Sequence, residues 1–131
     1  MILVDSSVLI DFFKGTNNAS AKKLVDIIER NIPFGITSLI YHEVLQGAKT
    51  VSEFKLLQEY LSTQTFYHPE EIIESYEKSA KIFFNLRRKG VTIRSSIDCF
   101  IAQIAKEHNL YLLHNDKDFK QICRLVKVKE Y

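Results

Sequence analysis

Residues 91–119, VTIRSSIDCFIAQIAKEHNLYLLHNDKDF, carry two carboxylates at positions where folds commonly put chemistry. Ile97, Phe100, Ile101, Ile104, Ala105 and His108 recur at the spacing of one buried helix face, behind Ser95 or Ser96 as N-cap. Asp98 falls in the first turn of that helix. At about 100° per residue it stands over Ala102 and Ala105, on the margin of the apolar face, an odd place for a charge. Asp116 follows the short apolar run 110–113, outside the carboxyl end of a strand, where open α/β sheets place ligands. Asp5 ends the apolar run that opens the chain. Glu43 shares a helix face with Leu39, Ile40 and Gly47, so its carboxylate points inward.

If Asp5, Glu43, Asp98 and Asp116 converge, four carboxylates meet with no lysine built into the set. Two unit charges about 4 Å apart repel by roughly 4 kcal/mol at an effective dielectric near 20. Such a cluster either raises its own pKa values or binds a divalent cation. All-oxygen ligands select a hard ion, Mg²⁺ or Mn²⁺, that takes further oxygens from a phosphate. That combination suits hydrolysis of a phosphodiester.

Each acid also has a structural reading. Ser95-x-x-Asp98 fits a capping box, and Asp5 and Asp116 fit N-caps. Glu43, mid-helix on an apolar stripe, needs a partner such as an arginine. Ser6 either caps the first helix or orients a water at the metal. Asp11 and Asp118 read as solvated helix residues, and Asp118 also as a supporting acid beside Asp116. Arg94 is a candidate for steering a phosphate or for a structural ion pair. Arg87-Arg88-Lys89 ahead of Gly90 reads as an ordinary basic helix end, or as a contact to phosphates.

The elements that must position these residues alternate between strand and helix. Strands are expected at 1–4, 33–36, 110–113, minimally at Phe66-Tyr67, and at an edge strand over 125–128. Helices are expected from Ser6 or Ser7 to Phe13, over 21–30, from Thr37 or Ser38 to Gly47, and over 51–61. A long helix with Pro69 in its first turn ends at Gly90, and after the helix of Asp98 a short one covers 119–123. Alternation of this kind implies a parallel sheet covered on both faces, and no repeat or linker divides residues 1–131, so one α/β domain is expected.

With 46% hydrophobic and 26% charged residues, the composition excludes a disordered chain. No apolar run reaches the roughly 18 residues of a membrane span, and the N-terminus does not read as a signal peptide. Cys99 and Cys123 form no CxxC pair and read as reduced thiols of a cytoplasmic protein. The four histidines lack HxH or HExxH spacing, which speaks against zinc; His42 and His114, beside proposed ligands in sequence, point elsewhere. A net charge of +2 proves no nucleic-acid partner, yet several acids at one site would leave the remaining surface basic.

Four stretches in order, ILVDSSVLIDFFKG, TSLIYHEVLQG, SSIDCFIAQIA and LYLLHNDKDF, give the chain a resemblance to PIN-domain nucleases, and more narrowly to VapC-type toxins of bacterial toxin–antitoxin pairs. The likeness runs from near the first residue to about Phe119. It implies a three-layer α/β/α sandwich with a central parallel sheet, and the family's acidic quartet falls on Asp5, Glu43, Asp98 and Asp116, with its strand-end hydroxyl at Ser6. It further implies a Mg²⁺- or Mn²⁺-dependent endoribonuclease acting on RNA such as tRNA or rRNA, a homodimer, and inhibition by a cognate antitoxin; the exposed faces of 21–30 and 51–61 are its expected docking surfaces. Two rivals compete: a PIN-like binding module that cuts nothing, and a phosphoacceptor signalling domain, which needs an acceptor Asp after a middle strand.

Overall fold

A computed structural model describes residues 1–131. Four short strands, β1 (Ile2–Val4), β2 (Phe34–Ile36), β3 (Thr65–Phe66) and β4 (Tyr111–Leu113), form one parallel sheet of order β3-β2-β1-β4. Seven helices flank it in an α/β/α arrangement: α1 (Ser6–Lys14), α2 (Ala19–Glu29), α3 (Ser38–Gln46), α4 (Val51–Leu61), α5 (Ile72–Arg88), α6 (Ser96–Glu107) and α7 (Lys117–Val126).

The strands are apolar on both faces because both faces are covered. Leu3, Val4, Ile36 and Leu112 are fully buried in a continuous core of 28 residues. Gly35 is required by a close approach: a Cβ there would lie 2.4 Å from the Tyr67 ring and 2.9 Å from the Thr65 carbonyl. Helix α6 is the central helix of its layer, packed against both α5 and α7. Every residue from Cys99 to Ala105 is buried. The polar member of that run, Gln103, donates to Glu107 at 2.8 Å, and Ser75 of α5 donates to both oxygens of the same carboxylate at 2.9 and 2.8 Å.

Several local expectations are corrected. The periodicity assigned Ile97 to the buried face, but it is 37% exposed, because the core is met one turn further on. Pro69 precedes α5 rather than opening it, since Glu71 takes the N-cap by accepting from the N–H groups of Ile73 and Glu74. The minimal strand is Thr65–Phe66 rather than Phe66-Tyr67. The edge strand expected over 125–128 does not form. Helix α7 continues to Val126, Lys127 turns the chain at φ +61°, and one bridge from Glu130 to Leu112 remains of it. Cys99 and Cys123 are free and buried, and burial lifts their thiols to about 11 and about 12.

Candidate active site

The chain leaves β1 toward β2 on one side and returns to β4 on the other, so the strand order reverses between β1 and β4. Open sheets offer a crevice outside the carboxyl ends of strands at such a switch point. Register there is strict, with Val4 opposite Leu113 and the Asp5 N–H donating to the Leu113 carbonyl at 2.9 Å. Asp5 therefore leaves the end of one strand while the turn holding Asp116 leaves the end of its neighbour.

Both acids are also helix caps, as their structural readings require. Asp5 caps α1 itself, displacing Ser6 and Ser7 from that role: its Oδ2 accepts from the Ser7 N–H at 3.0 Å and the Ser7 hydroxyl at 2.6 Å. Asp116 caps α7, its Oδ1 accepting from the Asp118 N–H at 3.0 Å. Capping uses one oxygen of each carboxylate and leaves the other for a ligand. For Asp98 the capping box is only half formed. Ser95 accepts from the Ile97 N–H at 3.3 Å, but the Asp98 carboxylate makes no hydrogen bond back.

Carboxylate oxygens of Asp98, Asp116 and Asp118 lie within 4.8 Å of one another, a spacing at which one cation can contact all three. Their protons behave differently. Burial, reinforced by the charges of Asp5, Asp116, Glu43 and Asp118, lifts Asp98 to about 7. Burial would raise Asp118 too, but hydrogen bonds and charge from Arg94 reverse the sign and hold it below the usual range. Arg94 donates its Nε to Asp118 at 3.1 Å and an Nη to Asp116 at 2.9 Å, tying together two of the three acids. Asp118 is thus buried and paired, which corrects its reading as a solvated helix residue and leaves its other reading, a supporting acid beside Asp116.

Glu43 reaches the site from α3, and its partner is the hydroxyl of Ser6 rather than an arginine. Ser6 is buried, and its hydroxyl donates to the Glu43 carboxylate. Asp5 and Glu43 stand outside the 4.8 Å set, yet their charges are close enough to raise the proton affinity of Asp98. Asp5 is itself raised above the carboxylate range, first by burial and then by Glu43.

Sequence reasoning missed the residues that hold the two strand-end turns together. Ser7 accepts from the Asn115 N–H at 3.1 Å, and the Asn115 side-chain amide donates to Asp11 at 3.1 Å. Asp11 also accepts from Asn18 at 2.8 Å, so it is a tie between loops rather than a solvated residue. His114 points away from the acids, as expected. Its Nδ1 accepts from the Asp116 N–H at 3.2 Å, so Nε2 carries the proton and donates to Glu130 at 2.6 Å. A signal for these ties was present in the hydroxyls and amides flanking each acid, but only tertiary pairing gives it meaning.

At the sheet switch point three carboxylates cluster beside an arginine and hydroxyls, and all-oxygen donors of this kind are compatible with a hard divalent cation. Residues 2–125 match the PIN domain, and the chain belongs to that family. It is similar to ribonuclease VapC11 of Mycobacterium tuberculosis, at 28% identity over 130 residues that cover 98% of this chain and 96% of the relative. Among solved structures it is similar to a toxin–antitoxin complex from Klebsiella pneumoniae (24% identity, TM-score 0.68, covering 91% of this chain and 90% of that one). It is also similar to VapBC-1 from nontypeable Haemophilus influenzae (19% identity, TM-score 0.72, covering 100% and 97%). No carboxylate follows β2 or β3, where Thr37 and Tyr67 stand, so the phosphoacceptor reading lacks its acceptor.

Proposed function

We infer that the protein is an endoribonuclease that hydrolyses RNA phosphodiesters, with tRNA or rRNA as substrate, and that it is the toxin of a toxin–antitoxin pair. The observation that carries this reading is the set of three carboxylates, from Asp98, Asp116 and Asp118, within 4.8 Å at the crevice between β1 and β4. The donor set suits Mg²⁺ or Mn²⁺, which when bound activates water for attack and offsets charge growing on the phosphate. Asp98, Asp116 and Asp118 would hold that ion, and Asp5 and Glu43 would extend the negative field around it. Ser6 orients Glu43, and Ser7 orients Asp5. Arg94, with its side chain 68% exposed, bridges the Asp116 and Asp118 carboxylates and offers its solvent-facing N–H groups to the phosphate. The products are a 5′-phosphate and a 3′-hydroxyl.

The sequence relative named as a ribonuclease supports the activity. The likeness to a toxin–antitoxin complex supports an antitoxin partner, for which the apolar groove of Ile10, Phe13, Val44 and Leu57 beside exposed Phe54 is the docking surface. Exposed Ile72, Ile73, Tyr76 and Ile97 form the face of a homodimer. No helix is long and apolar enough to cross a membrane.

Cleavage of total cellular RNA by purified protein, with Mg²⁺ or Mn²⁺ and with chelator, beside Asp98→Asn, tests the reading. Defined fragments that need metal and disappear in the variant are expected. Intact RNA with a folded, metal-loaded wild type would sink it, and a binding module that cuts nothing would take its place.

A further inference from the structure

Charge is segregated along this chain. Residues 78–131 carry twelve of its eighteen lysines and arginines but five of its sixteen acids, and three of those five are Asp98, Asp116 and Asp118. Outside the crevice, the C-terminal part is therefore a basic surface. Two elements concentrate it. Arg87, Arg88 and Lys89 close α5, and Lys117, Lys120 and Arg124 recur at i, i+3 and i+7 along the solvent side of α7. All six are exposed, none forms an ion pair, and α5 packs against α7.

Both groups are joined to the site by short stretches of chain. Lys117 directly follows Asp116. Arg94 lies six positions after Arg88, a reach of at most about 20 Å. Helix stability accounts for only part of this arrangement. Arg87 and Arg88 sit favourably at a helix C-terminus, stacked over Phe83 and Phe84 at 5.6 and 5.7 Å. Lys117 and Lys120 sit in the first turns of α7, where the helix dipole disfavours cations. Unpaired cations kept at an unfavourable helix end beside an acidic crevice call for an anionic partner.

We propose that Arg87, Arg88 and Lys89 of α5 with Lys117, Lys120 and Arg124 of α7 form a phosphate-binding track that holds the RNA backbone on either side of the crevice. The proposal rests on the endoribonuclease reading for the identity of the polyanion. The track solves a problem that the site creates: five carboxylates repel a phosphodiester, and basic side chains several nucleotides away from them supply the attraction.

The test measures binding of a short labelled single-stranded RNA, and of duplex DNA, to Asp98→Asn protein in chelator, across a salt series. It compares that protein with two further variants in the same background, Lys117→Gln/Lys120→Gln/Arg124→Gln and Arg87→Gln/Arg88→Gln/Lys89→Gln. Each triple change should weaken RNA binding at least tenfold at low salt. It should also make the slope of log affinity against log salt shallower by about 2, at roughly 0.7 for each phosphate that is no longer neutralised. Because all six residues are exposed and the two sets are independent, a folding defect in one leaves the other decisive. Unchanged slopes in the folded variants overturn the track, as does a weakening confined to duplex DNA. Cleavage by the wild-type protein is assayed in parallel. Cleavage with unchanged slopes removes the track and leaves the nuclease, whereas shallower slopes without cleavage remove the nuclease and leave the track.

Discussion

Arg94 donates both its backbone N–H and its Nε to a single oxygen of Asp118, at 3.2 and 3.1 Å. That oxygen belongs to a buried side chain, whereas the guanidinium is largely exposed and also reaches Asp116. The arginine thus serves as a resident cation for two of the three acids that can hold a metal ion.

Arg94→Lys should therefore lower the urea midpoint of the metal-free protein, since one ammonium cannot span both carboxylates. Saturating Mg²⁺ or Mn²⁺ should recover most of the loss by neutralising the same acids. Equal midpoints for wild type and variant without metal would show that the pairing is incidental.

Asp98→Asn should stabilise the metal-free protein near pH 7.5, because it removes a partly buried charge repelled by Asp5, Asp116 and Glu43. Discounted for its partial exposure, the gain is on the order of 1 kcal/mol, or roughly 3–5 °C in melting temperature. The same variant should lose the thermal shift that Mg²⁺ or Mn²⁺ produces in wild type. A melting temperature that falls, with the metal shift retained, would return Asp98 to the role of a helix-end residue.

The pH dependence has a definite sign. Asp98 titrates at about 7 in the folded protein and near 4 when unfolded, so the folded state holds the extra proton. Its contribution to the stability of metal-free protein is complete below about pH 4, declines between roughly 4 and 7, and is absent above. Asp118, held below the usual range, contributes in the opposite direction, and only at the acidic end. Metal must displace the Asp98 proton. Calorimetry in buffers of different ionisation enthalpy should find close to one proton released per ion bound at pH 6 and almost none at pH 8.5. Release that does not change with pH, or that survives in Asp98→Asn, would contradict this.

Gly35→Ala should cost about 1–3 kcal/mol, because the new methyl meets the Tyr67 ring and the Thr65 carbonyl and must push β3 from the sheet edge. Urea denaturation reads the loss directly. Spectra should show that the rest of the fold survives, since β1 and β4 lie on the far side of β2. A midpoint equal to wild type would mean that β3 yields without penalty.

Several features were legible in the sequence because they depend on local rules. Apolar runs too short for helices marked the strands, and Thr37 and Ser95 marked helix starts. The acids Asp5, Glu43, Asp98 and Asp116 stood out as charges at strand ends or on apolar helix faces. What the sequence left open was decided by tertiary structure. Strand order places the ends of β1 and β4 side by side, and no local pattern encodes which parallel strands become neighbours. Asp118 read either as a solvated helix acid or as a support for Asp116; the guanidinium of Arg94, twenty-four residues away, makes it a buried, paired member of the cluster. Ser6 became the partner of Glu43 for the same reason. Periodicity and capping act within a turn or two of the chain, whereas the charge a carboxylate carries depends on its burial and on groups that folding alone brings near.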